Sequence, residues 1–126
     1  MQVTVRKAQI EKKSKRLEDA ARRRIYDALD EAIDYLSFNV PVDTGAYANS
    51  MHLNVRGDSS GQGETSRRKQ RQQAADPVLN EMETRLRAGL EVIDPLDGAT
   101  IVNNAPHARY VENRFGIFDQ LRNFLR

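Results

Sequence analysis

One stretch of the chain leaves the fewest folds open. Residues 7–38 contain neither glycine nor proline, and apolar side chains recur through them at helical spacing. Leu17, Ala21, Ile25, Ala28, Leu29, Ala32, Ile33 and Leu36 step by three and four, which makes one apolar stripe on a long helix. Asp27, Asp30, Glu31 and Asp34 step the same way on another face. The run ends at Asn39-Val40-Pro41, where proline disfavours the helical conformation of the residue before it. A helix of this length with a single apolar stripe has to bury that stripe against other elements. At 126 residues the chain has room for one domain, 1–126, to do so.

The charge on this helix runs against its dipole. Arg6, Lys7, Lys12, Lys13, Lys15, Arg16, Arg22, Arg23 and Arg24 fill the first part and the four acids the last. A helix prefers acids at its N-terminus and bases at its C-terminus. Two readings stand side by side. The charges form a solvated face that tolerates a loss of a few tenths of a kcal/mol. Alternatively, each end meets an opposite charge on another copy. That reading makes Arg22, Arg23, Arg24, Asp30, Glu31 and Asp34 candidates for a subunit interface.

The remainder alternates short elements. Pro41-Val42-Asp43-Thr44-Gly45 reads as a turn, with Asp43 able to accept backbone N–H groups and Gly45 free to take a positive φ. Residues 46–55 read as a half-buried strand, because Met51, Leu53 and Val55 alternate with His52 and Asn54. Residues 56–75 are rich in Gly, Ser and Gln and read as a long mobile loop. A second helix opens at Asp76-Pro77 with Val78, Leu79, Met82, Leu86 and Leu90 on its apolar face, and Gly89 is expected to weaken its end. A turn at 94–98, a short strand at 99–103 and a helical turn or short helix at 106–113 follow. Phe115, Ile117, Phe118, Leu121, Phe124 and Leu125 close the chain as an apolar, helical segment.

Few reactive constellations survive inspection. There is no cysteine, which excludes disulfides, thiolate chemistry and Cys-based zinc sites. No apolar run follows the basic residues near Met1, and none approaches the roughly 18 apolar residues of a membrane span. The expectation is a soluble protein made in a cytoplasm, without cofactor or metal. Asp43-Thr44-Gly45-Ala46 matches the letters of retroviral-type aspartic proteases, whose two symmetric copies share a proton between carboxylates. In those enzymes the motif follows a buried strand. Here it follows a helix, with Pro41 two residues before the aspartate, so turn chemistry is the preferred reading. His52 and His107 are the only histidines and have no acidic cluster beside them. Arg67, Arg68, Lys69 and Arg71 could touch phosphates, although no aromatic residue is interleaved for base stacking.

Two segments together resemble a known family. They are Val40-Pro41-Val42-Asp43-Thr44-Gly45-Ala46 with Ser50-Met51, and Ile101-Val102-Asn103-Asn104-Ala105-Pro106-His107-Ala108-Arg109-Tyr110-Val111-Glu112. This ordered pair, after a long helix, is similar to the tail-completion or head–tail joining proteins of tailed bacteriophages. His107 stands where that family usually has Tyr. Asn113-Arg114-Phe115-Gly116 replaces its aromatic residue and Gly-Thr. The resemblance implies an α+β subunit: a long N-terminal helix and a second helix packed on a small, mostly antiparallel sheet, with an apolar C-terminal segment. It further implies closed rings, commonly hexameric, that cap or join the tail to the DNA-filled head, with neighbouring neck and tail proteins as partners. Tyr110, Glu112, Phe115 and Phe118 become candidate ring contacts, and Pro41, Asp43, Thr44 and Gly45 the structural turn. Such a protein would be assembled in a bacterial cytoplasm and end in the virion, with transient DNA contact at residues 67–71. The main rival is a small nucleic-acid-binding protein using the basic helix and Arg67, Arg68, Lys69 and Arg71. The homodimeric protease at Asp43 is a remote one.

Overall fold

The computed structural model describes residues 1–5, 15–42, 45–64 and 75–125. The elements are β1 (Gln2–Val5), α1 (Lys15–Asn39), α2 (Ala46–Asn49), β2 (Met51–Val55), α3 (Ala75–Val92), β3 (Ala99–Asn103), α4 (Ala108–Phe115) and α5 (Ile117–Leu125). A 3-10 turn, Pro95–Asp97, joins α3 to β3. The architecture is α+β, with helices packed on a three-stranded antiparallel sheet of order β1-β3-β2.

The apolar stripe of α1 is the spine of the core. Leu29, Ala32, Ile33 and Leu36 are fully enclosed. They meet Met82, Leu86 and Leu90 of α3, Phe118 and Leu121 of α5, and the inward sheet residues Val3, Ile101, Met51 and Leu53. The register places Val3, Ile101 and Leu53 side by side on that inward face. Leu17, at the start of the stripe, is half exposed.

α1 and α3 run antiparallel, as their polar seam shows. Arg22 of α1 reaches Asp94 just beyond α3 at 3.0 Å. The Tyr26 hydroxyl donates to Glu91 at 2.9 Å. Arg87 of α3 donates to Asp30 and, at 2.6 Å, to Asp34.

Three expectations change. β1 lies ahead of the long helix and was not foreseen. The strand expected over 46–55 begins only at Met51, because Ala46–Asn49 forms a helical turn first. The mobile loop expected over 56–75 is fastened across its first half. Gly57 N–H donates to Thr100 Oγ1 (2.9 Å), and Glu64 N–H to Ser50 Oγ (2.6 Å). His52 Nε2 donates to Gln62 O at 2.8 Å. Asn54 Nδ2 holds Asp58 O and Ser60 O, and Asn104 Nδ2 holds Ser59 O and Gly61 O. Gly61 rests on the His52 ring and Gly63 on the Asn104 carbonyl, each leaving no space for a Cβ. Residues 57–64 thus strap the outer face of the sheet, which is why Thr100 and Val102 are buried on a face that would otherwise meet water. Residues 65–74 lie outside the described residues, and with them Arg67, Arg68, Lys69 and Arg71.

Candidate functional site: a cleft between the two motif segments

The two segments that carry the family resemblance converge. The first supplies Pro41, Val42, Gly45, Ala46 and Tyr47 to one wall of a cleft of about 460 Å³. The second supplies His107, Tyr110 and Val111 to the other, which Arg114 and Phe115, just beyond that segment, extend. Gly45 opens the first wall with φ 87°, a left-handed conformation that glycine takes without steric cost. That value agrees with the turn reading of Gly45, and Pro41 leads into the same turn. Asp43 and Thr44 lie outside the described residues.

Three buried polar side chains of the two segments, Ser50, Asn103 and Glu112, are committed to backbone. Ser50 Oγ donates to Ala46 O (2.7 Å) while accepting from Glu64 N–H. Asn103 sits on β3, fully buried, donating to Tyr47 O (2.7 Å) and accepting from Ala105 N–H (3.0 Å). It therefore ties the helical turn of one segment to the start of the other. Glu112 accepts from Phe118 N–H (2.9 Å) and Asp119 N–H (3.0 Å), capping the exposed amide end of α5. Arg85 on α3, which sequence reasoning passed over, donates to Ala48 O (2.7 Å) and Met51 O (3.0 Å) and so pins α2 to β2. Burial lowers the pKa of this guanidinium. Its only sequence signal was a charge one residue from Leu86 on the apolar face of the helix.

Two cleft groups lack such commitments. Tyr47 Oη and His107 Nδ1 are buried and have no hydrogen-bond partner among the described residues. The two rings lie 6.4 Å apart. Burial pushes the Tyr47 phenol far above its ordinary pKa, so it stays a donor. At the rim, Arg114 donates to the Tyr110 hydroxyl at 3.4 Å and lies over the Phe115 ring at 5.5 Å. Among the described residues, no group of three His, Asp or Glu side chains gathers to hold a metal. No helix there is long and apolar enough to cross a membrane.

The candidate interface residues divide. Phe118 is fully buried against the core, and the Glu112 carboxylate is spent on α5, so neither is available as an outward contact. The apolar C-terminal segment packs Ile117, Phe118 and Leu121 against the core of its own chain and leaves Phe115 and Phe124 exposed. Arg22 pairs with Glu18, Asp19 and Asp94, and Asp30 and Asp34 pair with Arg87. The dipole-opposed charge order of α1 therefore has a local cause at these positions. Arg23, Arg24, Glu31, Tyr110 and Phe115 are exposed.

No family model, curated protein or solved structure matches the chain.

Proposed function

We propose that the chain is a non-enzymatic structural protein of a tailed-phage virion, a subunit that closes into a ring at the head–tail junction. There it joins or caps the tail beneath the DNA-filled head, with copies of itself and the adjoining neck and tail proteins as partners. The reading starts from the resemblance of residues 40–51 and 101–112 to tail-completion and head–tail joining proteins. One structural observation carries it further: these distant segments form the two walls of one cleft, and Ser50, Asn103 and Glu112 all hold backbone. Side chains spent on backbone build a shape and suit a scaffold, while, among the described residues, Tyr47 Oη and His107 Nδ1 stay uncommitted in the cleft.

Sedimentation of the purified chain over a wide concentration range, with electron microscopy of the heaviest fraction, tests the proposal. Closed rings with a mass several times the 14.3 kDa of one chain are expected. A species that stays monomeric or dimeric throughout and binds DNA with steep salt dependence would replace this reading with the nucleic-acid-binding one.

A further inference from the structure

We propose that the cleft is completed by a second copy of the chain, which seats the last turn of its α3 there, with Val92 on the apolar wall and Glu91 toward Arg114. The inference rests on the reading of the chain as an assembling subunit, and names the surfaces that join.

The cleft is a surplus of donors in apolar surroundings. Tyr47 Oη is buried without an acceptor among the described residues, and so is His107 Nδ1, which donates in one tautomer. Arg114 has no carboxylate partner there, and no acid is among the described residues that line the cleft. Tyr110 and Phe115, 63% and 43% exposed, give an aromatic rim of the kind that anchors interfaces. Such a site selects a partner that brings hydrogen-bond acceptors, negative charge and a small apolar group together.

The far end of the same chain offers that combination. Val92 is 83% exposed at the end of α3, with exposed Ala88 one turn before it and, beside it, exposed Glu91, whose Oε1 accepts from Tyr26 of its own chain. The last turn of α3 has no basic residue, so the partial negative charge of its final carbonyls is not offset from within the helix. Arg22, the nearby cation of α1, is already engaged by three acids.

One chain cannot join these surfaces to each other. The antiparallel seam sets the end of α3 beside Arg22 and Tyr26, whereas the cleft follows the end of α1. The helix from Arg22 to Asn39 separates them by roughly 25 Å. Complementary patches at opposite ends of one molecule define a head-to-tail contact, the kind that generates a ring where its rotation closes.

The absence of cysteine makes the test direct. Single variants V92C and Y110C, and the double variant, are oxidised at a concentration where the wild-type chain associates. Non-reducing electrophoresis and melting curves are then recorded. The proposal expects the mixed singles to give a V92C–Y110C heterodimer in severalfold excess over either homodimer, and the double variant to give a ladder beyond the dimer. It also expects R114E to weaken association at least tenfold and E91R to restore part of it. Rings that persist in R114E without the heterodimer would overturn this inference and leave the ring reading standing. Loss in R114E with neither rescue nor heterodimer would also overturn it, because another segment then fills the cleft. A wild-type chain that is monomeric at every concentration and forms no cross-link would overturn both.

Discussion

Glycine plays opposite roles at two positions, and only one of them could be read from the sequence. Gly45 sits at φ 87°, and a Cβ there would only come into ordinary contact with Val78 and Asn49 at 3.4 Å. Gly45→Val should lower stability by about 1–3 kcal/mol in a denaturant titration, mostly through backbone strain. The turn pattern around Pro41 gave that away in advance. Gly89 looked like a weakness in α3, since alanine there would favour a helix by about 1 kcal/mol. In the folded chain its missing side chain lets α3 approach β2, and a Cβ would sit 2.5 Å from Leu53 O. Gly89→Ala is therefore expected to lower the melting temperature, against its helix propensity. Glu112 was legible as part of a motif, while its task was not, because the amides it caps belong to a helix whose position depends on the whole fold. Glu112→Ala should destabilise by about 1–2 kcal/mol, as measured by thermal unfolding, through loss of the cap.

Among the elements, the long ones announced themselves and the short ones did not. α1 and α3 carry enough turns for their apolar periodicity to be plain, and their boundaries agree with expectation within a few residues at the described ends. β1 is four residues long and its partner lies at the other end of the chain, so nothing local marks it. α2 hides inside an apparently continuous strand because Ala46, Tyr47 and Ala48 are all buried, which removes the alternation that separates strand from helix. The seam between α1 and α3 should contribute little to stability despite its several ion pairs, because Arg87 and its acids are each about a third to a half exposed. Arg87→Ala is expected to cost about 1 kcal/mol or less, and less again when chemical denaturation is repeated in high salt. Phe118→Ala should cost about 3–5 kcal/mol by the same measurement, as expected for a fully enclosed ring. A neutral result at Phe118 would return it to the outer surface, where sequence reasoning had set it.

For the whole molecule, periodicity and turn chemistry were enough to give the α+β class, since both depend on neighbours within a few residues. The cleft was legible only in part. The ordered motifs marked the residues that build it, but that they face one another follows from β2 pairing antiparallel with β3, which sets Met51 opposite Asn103. The strap over the outer sheet was illegible, because a stretch rich in Gly and Ser has the same composition whether it is free or fastened. The sheet order has a consequence for how the chain comes to exist. β3 is the strand with which both others pair, and it is the last of the three to be synthesised. Val3 must wait for Ile101 to be made before it has a partner. Until β3 is made, β1 and β2 are unpaired edges, open to strands of other nascent chains. Commitment to this fold waits until residues 99–103 emerge and draw β1 and β2 together.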